Sequence, residues 1–211
     1  MWLQVGKRYW TASLPDRCGA AEPHAARLAR RGKRGDTAAM ANGITPCDLP
    51  PGALLARYSE DRGPTYVDCF EVLAGGDHAL GDYVAAFYTS WLFRLERWVL
   101  KTLAGWPSTD ADVDALAAGT AAAFAAWRVE ERRKDQLLLC DRTGRTRSWL
   151  MAKPVDGGGT RLWFGSAVLP RRAGDRSLGP LVTGPVPFHR LYSRALLRCA
   201  HRALQARPGT R

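Results

Sequence analysis

The four histidines are the side chains of this sequence best suited to acid–base or metal chemistry, but their spacing keeps them apart. His24 lies in a basic N-terminal stretch, and His78 stands where a helix is expected to begin. His189 and His201 share the last predicted helix, where a separation of twelve residues corresponds to roughly 18 Å. They cannot share one metal ion, so we expect no metal site and no cofactor. His189 is retained as a candidate acid–base group at a cavity mouth.

Three other motifs resemble catalytic signatures and do not meet their requirements. Ser166 follows Gly165 but lacks the second glycine of a nucleophile elbow, and it lies in a strand pattern. The glycines at 157–159 read as a hairpin turn, because neither a phosphate-binding lysine nor a helix follows them. Glu130 and Glu131 are adjacent in a predicted strand and therefore point to opposite faces. The sequence thus assigns no catalytic residue.

The eight tryptophans suggest a different chemistry, the binding of a mostly apolar molecule. Trp127, Trp149 and Trp163 fall on predicted strands, and each carries a large apolar surface and an N–H that needs a partner. Such residues either pack the core or line an aromatic pocket in which a few polar groups orient a ligand. The candidate ligand-binding residues are Trp127, Arg147, Trp149, Met151, Phe164, His189 and Tyr192.

The last predicted helix carries arginines at four-residue steps on one side and apolar residues on another. The basic ridge consists of Arg190, Arg194, Arg198 and Arg202. The predicted apolar stripe consists of Phe188, Leu191, Tyr192, Ala195, Leu196, Cys199 and Ala203. The ridge could follow the phosphates of nucleic acid or of lipid headgroups. Because the aromatic residues fall on the opposite stripe, the pattern favours a solvated face over a nucleic-acid partner.

Hydrophobic periodicity predicts the elements that position these residues. A period of two predicts a strand over 66–72, and apolar residues at i, i+3, i+4 and i+7 predict one long helix over 80–104. A second helix follows, with Ser108 or Thr109 as its cap and an end near Gly119. Four more strands are predicted over 124–133, 136–141, 146–155 and 160–169, before a closing helix over 188–203. This order predicts an α+β domain.

Length, charge and cysteine usage limit the remaining possibilities. A chain of 211 residues suits one domain with a tail, and we predict a basic, disordered arm over 1–45 and a single domain over 46–207. Met40 reads as an ordinary start, so residues 1–39 are either upstream sequence or a genuine basic tail. Five cysteines without a Cys-x-x-Cys pair indicate free thiols. No apolar run approaches the ~20 residues that span a bilayer and no secretory signal is apparent, so we expect a cytoplasmic protein.

The order of the segments resembles the START-like, or helix-grip, superfamily of lipid-transfer domains and polyketide cyclases. The resemblance covers about residues 64–207 and is carried by segments 66–72, 80–104, 124–127, 146–150, 163–168 and 187–192. The last of these is similar to the closing helix of an uncharacterised bacterial family in that superfamily.

The resemblance implies a curved antiparallel sheet of five to seven strands that grips a long C-terminal helix, with two further helices after the first strand. Because the fold usually has six or seven strands and five are placed, one strand either is missing or lies within 44–60 or 170–186. The resemblance also implies an apolar cavity between the sheet and the closing helix.

Three functions are carried forward as hypotheses. The first is the binding of a small hydrophobic molecule in that cavity. The second is a cyclase- or hydratase-type enzyme that uses a polar pair in the same cavity, with Arg147 beside His189 or Tyr192. The third is weak nucleic-acid or anionic-membrane binding through the basic surface.

Overall fold

One antiparallel sheet with helices on one face forms the framework of the protein, an α+β fold as predicted. The computed structural model describes residues 43–59, 66–169 and 186–206. Among these residues the sheet has seven strands in the order β1-β2-β7-β6-β5-β4-β3, and every neighbouring pair is antiparallel. The strands are β1 (Thr45–Pro46), β2 (Tyr66–Ala74), β3 (Ala123–Phe124), β4 (Trp127–Arg132), β5 (Gln136–Asp141), β6 (Thr146–Pro154) and β7 (Thr160–Val168).

Four α-helices and one short 3-10 helix complete the described fold. The 3-10 helix is Leu54–Tyr58, and the α-helices are α1 (Leu80–Tyr88), α2 (Trp91–Ala104), α3 (Asp110–Ala118) and α4 (Val186–Gln205). The further strand expected within 44–60 is β1, which pairs with Phe70 and Glu71 of β2. The arm predicted over 1–45 lies outside the described residues as far as residue 42. Ile44, assigned to that arm, is buried in the core.

The single long helix predicted over 80–104 is two helices in the structure. Thr89 and Ser90 separate α1 from α2, and the Ser90 hydroxyl accepts a hydrogen bond from the Phe93 N–H at 3.4 Å. Short hydroxyl side chains bond nearby backbone groups and so favour helix ends over helix interiors. The apolar period continues across the break, which is why periodicity alone missed it. Three helices therefore follow β2, where two were predicted.

The strand predicted over 124–133 is also interrupted. Ala125 has a φ of 49°, the left-handed region that a non-glycine residue seldom adopts, and the chain turns there between β3 and β4. A bulge follows between Val129 and Glu131. Glu130 and Glu131 therefore do not occupy regular consecutive positions of the β4–β5 ladder.

Both faces of the sheet are buried, and alternate residues of each central strand serve the two faces. On the face toward α1 and α4, here called the helix face, the buried side chains include Phe70, Val72, Leu139, Leu150, Leu162 and Phe164. On the opposite face, here called the 3-10 face, Leu54, Leu55 and Tyr58 pack over Leu138, Trp149, Met151 and Trp163.

The space between the sheet and the helices is occupied by aromatic and aliphatic side chains. The ring of Phe87 on α1 lies 4.8 Å from that of Phe164 on β7, and Tyr88 contacts Phe93 and Phe124 at 4.6 and 5.3 Å. From α4, Leu196, Leu197, Ala200 and Leu204 join the same cluster. The described helix face is therefore a packed core.

Helix α4 presents a different stripe to the sheet from the one that was predicted. Its buried residues are Ser193, Leu196, Leu197, Ala200, His201 and Leu204. Leu191, placed on the predicted stripe, is 63% exposed, and the side chain of Phe188 lies outside the described ones. The buried face of α4 includes one serine and one histidine. Hydrophobicity alone therefore predicts the wrong orientation of α4 about its own axis.

Candidate functional site

A buried carboxylate, Asp68, is the centre of a polar cluster where β2, β7 and α4 meet. One carboxylate oxygen of Asp68 accepts hydrogen bonds from the main-chain N–H and the hydroxyl of Ser166, at 3.1 and 2.7 Å. The other accepts from the hydroxyls of Tyr66 at 3.2 Å and Ser193 at 3.5 Å. Asp68 is 9% exposed. These donors compensate the loss of water around the carboxylate.

Ser166 connects this carboxylate to His189. The Ser166 hydroxyl oxygen lies 2.7 Å from His189 Nε2, and Nε2 lies 3.6 Å from the second carboxylate oxygen of Asp68. A hydroxyl has one hydrogen to donate. When Ser166 gives it to Asp68, Nε2 of His189 must carry a proton and donate to Ser166. The three side chains then form a continuous chain of hydrogen bonds from helix to sheet.

Strand register and helix spacing bring these residues together. Asp68 and Ser166 are direct partners across β2 and β7, so their side chains point to the same face of the sheet. His189 and Ser193 are four residues apart on α4 and share one side of that helix. The Tyr66 ring, two residues before Asp68 on the same face of β2, meets the His189 ring edge-on at 5.5 Å. Burial raises the pKa of Tyr66, and Asp68 adds to that shift, so the phenol stays protonated.

An open cleft adjoins this cluster at the edge of the sheet. Its volume is about 430 Å³, and its walls are the chain at 46–48, the start of β2 at 66–70 and Arg190 of α4. Asp68 is one of the residues of this wall, so the cleft lies directly beside the polar cluster. We call this space the Asp68 cleft. A second cavity of about 570 Å³ lies at the opposite end of β2, beside the glycines at 75–76 and 158–159.

Two thiols also meet at the Asp68 cleft. The Cys47 thiol donates to the sulfur of Cys69, with the two sulfur atoms 3.3 Å apart, and both residues line the cleft. The hydrogen bond with Cys47 and burial raise the pKa of Cys69. The cysteines of the described residues are free, as predicted for the chain, and Cys18 lies outside those residues.

Of the seven candidate ligand-binding residues, three lie on the 3-10 face and not beside α4. Trp149 and Met151 are fully buried there. Arg147 pairs with Glu130 at 2.8 Å and lies over the Tyr58 ring at 4.7 Å. The sheet therefore stands between Arg147 and His189, and the polar pair proposed from the sequence is not assembled.

The remaining four lie on the helix face but do not converge on one space. Phe164 is part of the packed core, and Trp127 is half-buried at its edge with an indole N–H that has no hydrogen-bond partner. Tyr192 donates to Glu96 on α2, and burial raises the pKa of each of these two groups. Only His189 belongs to the polar cluster.

Sequence reasoning missed Asp68, Tyr66 and Ser193. One signal was available: on β2, Asp68 alternates with Phe70 and Val72, so an acid occupies a position that faces the core. A core-facing acid needs donors around it. Its main partner, Ser166, is 98 residues away in the chain, which no local pattern reports.

The four arginines of the basic ridge are exposed on α4. No group of three or more Cys, His, Asp or Glu residues within the described ranges could hold a metal ion. None of the described helices has both the length and the apolar character to cross a membrane.

Comparison with known proteins finds a distant structural similarity. No family model matches the chain, and no curated protein matches it. A solved structure, that of a conserved protein of unknown function from Enterococcus faecalis, aligns over 72% of this chain and 81% of its own. The identity is 10% and the TM-score is 0.37.

Proposed function

We propose that the protein binds a small molecule in the Asp68 cleft. The observation that carries this proposal is the position of Asp68, a carboxylate 9% exposed that forms part of the wall of an open space of about 430 Å³. Burying a carboxylate is costly even when it is hydrogen-bonded. Buried ionisable side chains of this kind are common in ligand-binding clefts.

The walls of the cleft define the chemistry of the ligand. Pro46 and Val67 offer apolar contact, while Arg190 contributes a guanidinium whose charge acts on the Tyr66 phenol. We expect a compact molecule with an apolar body and one acceptor or anionic group directed to Arg190. The volume is within the range of sites for small organic ligands, roughly 300–1,000 Å³.

One further consideration supports a small ligand, and another supports its location at the edge of the sheet. START-like domains, which the segment order resembles, are associated with small apolar ligands. The aromatic packing of Phe87, Phe164 and their neighbours occupies the region between sheet and helices where the sequence placed the cavity. A ligand site at the edge of the sheet needs no rearrangement of that core.

A thermal-shift screen of small aromatic and fatty acids against the full chain tests this proposal. Ligands that raise the melting temperature are titrated against Arg190→Ala and against the matched control Arg202→Ala, which removes an exposed arginine three helical turns away on α4. We expect Arg190→Ala to weaken binding at least tenfold and Arg202→Ala to leave it unchanged. Equal affinity of both variants, or no stabilising ligand, contradicts the proposal.

A second candidate function is proton transfer on the bound molecule, favoured by the chain His189–Ser166–Asp68 with its 2.7 Å links. Ser166 is 3% exposed, so His189, with a side chain 25% exposed, is the member able to meet a ligand. Incubation of each screened ligand with the protein, followed by mass spectrometry or NMR, detects turnover. His189→Gln should abolish turnover and retain binding; turnover that survives this change excludes the role.

A further inference from the structure

Helix α2 carries a stripe of large apolar side chains that face solvent. Trp91, Leu95 and Trp98 are 69, 52 and 61% exposed. Their spacing of four and three residues places them along one side of the helix. The opposite side of α2 is used for packing, since Phe93 and Leu100 are buried. The packing of α2 against the rest of the protein therefore does not use the exposed stripe. Exposed apolar patches of this kind commonly mark interaction surfaces.

Helix α4 lies beside this stripe and extends the exposed surface. Tyr192 bonds Glu96, and Trp91 lies near the Cys199 thiol, so the two helices run antiparallel. Leu191, the neighbour of Tyr192, is 63% exposed and lies toward the Leu95–Trp98 end of the stripe. We call the surface formed by Trp91, Leu95, Trp98 and Leu191, with Arg94 and Lys101 of α2 and Arg198 and Arg202 of α4, the α2–α4 face.

The charges on these two helices are almost all positive. Exposed basic residues on them are Arg94, Lys101, Arg190, Arg194, Arg198 and Arg202. Within Val186–Gln205 there is no acidic residue, and Glu96 is the only one within Trp91–Ala104. Glu96 is occupied by its hydrogen bond from Tyr192. Arg94 is paired with Asp110, so the net positive charge beside the stripe comes from Lys101, Arg198 and Arg202.

We propose that the α2–α4 face docks on an anionic lipid surface, with Trp91, Leu95 and Trp98 entering the headgroup region. Tryptophan is favoured at the boundary between water and acyl chains, and leucine adds apolar burial below it. Arginines around such a stripe are attracted by the negative potential of acidic lipids. The helix lies in the plane of the surface and does not cross it.

Two other occupants fit the same face less well. A second copy of this chain would bring two strongly positive surfaces together, which opposes association. A single-stranded nucleic acid would pair with the arginines and stack on the tryptophans, but Leu95 and Leu191 offer no stacking surface. An acyl-chain boundary accommodates both the aromatic and the aliphatic side chains.

Vesicle co-sedimentation with the full chain tests this inference. Phosphatidylcholine vesicles are compared with vesicles containing one part phosphatidylglycerol to three parts phosphatidylcholine. The change Leu95→Ser with Trp98→Ser removes the centre of the stripe, where both side chains are more than half exposed, so the melting temperature should not move. Arg128→Gln with Arg142→Gln is a control that removes two exposed arginines elsewhere, and Arg198→Gln with Arg202→Gln removes two beside the stripe.

We expect binding to the anionic vesicles only, with apparent affinity reduced at least tenfold by the Leu95/Trp98 change and several-fold by the Arg198/Arg202 change. The Arg128/Arg142 control should bind like the unaltered chain. Absence of binding to anionic vesicles, or equal binding by the Leu95/Trp98 variant, overturns the inference. A dimer that this variant converts to a monomer, or tighter Trp98-dependent binding to a single-stranded oligonucleotide than to vesicles, overturns it as well.

Discussion

Asp68 and Ser166 face each other across β2 and β7, and one carboxylate oxygen accepts both the main-chain N–H and the hydroxyl of Ser166. This pair fastens α4 to the sheet, because Ser193 also donates to Asp68 and His189 contacts Ser166. The same carboxylate thus stabilises the docking of the closing helix and forms part of the cleft wall.

Asp68→Asn should lower the free energy of unfolding by about 1–3 kcal/mol, the usual cost of leaving buried groups without a suitable partner. The amide retains the shape of the carboxylate but presents two N–H donors to a site already occupied by donors. Urea denaturation measures the change. The matched control is Asp135→Asn, which alters an exposed pair with Lys153 and should shift stability by less than about 1 kcal/mol. Equal effects of the two changes would contradict the assigned role.

Gln136 should be essential for the packing of the 3-10 helix. Its side-chain oxygen accepts from the Trp149 indole N–H and from the Leu54 N–H, each at 2.9 Å, and its amide donates to the Gly52 carbonyl. Gln136→Leu leaves these buried groups unpaired and should cost about 2–4 kcal/mol.

A double-mutant cycle with Trp149→Phe isolates this interaction. Once Gln136→Leu is present, Trp149→Phe removes an orphaned N–H, so it should cost less in that background than in the unaltered chain. Chemical denaturation of the four proteins gives the coupling energy. Additive effects would mean that Gln136 and Trp149 stabilise the fold independently.

His201 should make the protein less stable as the pH falls. It is 7% exposed on α4, its Nε2 atom lacks a hydrogen-bond partner, and burial lowers its pKa. The unfolded chain therefore takes up a proton near the ordinary value of about 6.5, whereas the folded chain resists protonation until a lower pH. The melting temperature should fall from about pH 6.5 downward and level off below the folded-state pKa.

His201→Gln should reduce the fall of the melting temperature below about pH 6.5, whatever the effect of this change on stability at neutral pH. His78→Gln should reduce the slope less, because His78 bonds the Gly75 carbonyl at the surface and contributes only in part to the lowered pKa of His201. An unchanged slope in the His201 variant would assign the acid sensitivity to other groups.

Cys47 and Cys69 should form a disulfide when the azo oxidant diamide is added, the two thiols losing their hydrogens to the oxidant. Their sulfur atoms are 3.3 Å apart and the residues are 22 positions apart in the chain, so the link should add about 3 kcal/mol of stability. The raised pKa of Cys69 makes the reaction slow at neutral pH and faster in alkaline solution. Intact-mass measurement follows the reaction; Cys47→Ser should prevent it and Cys199→Ser should not.

The elements of this fold follow from local sequence patterns more closely than its site does. Alternation on β6 and β7 correctly places Trp149 and Phe164 in their strands, but Leu137, Leu138 and Leu139 are all buried. Since both faces of the sheet are apolar, alternation cannot tell which face receives α4. The 3-10 helix that covers the second face lies in a proline-rich segment without hydrophobic periodicity, so the sequence does not predict it. Trp149 and Met151 pack beneath this helix and not in the layer between the sheet and α4, where the sequence placed a cavity.

The candidate site depends on contacts between distant parts of the chain. Asp68 and Ser166 meet because β2 pairs with β7 in one register, and His189 reaches them because α4 turns Ser193 and His201 inward with its leucines. A helix that buries polar residues cannot be oriented by hydrophobicity alone. The exposed Trp91 and Trp98 of α2 show the same limit, since an outward apolar stripe has the same period as an inward one.

The position of the Asp68 cleft at the rim of the sheet bears on how fast an occupant can exchange. In a binding site enclosed by sheet and helix, entry would wait for the two layers to separate, a motion on the scale of microseconds to milliseconds. A rim site open to solvent needs no such gate. Arrival should then be set by diffusion and orientation, and residence time by the strength of contacts at Arg190 and Tyr66.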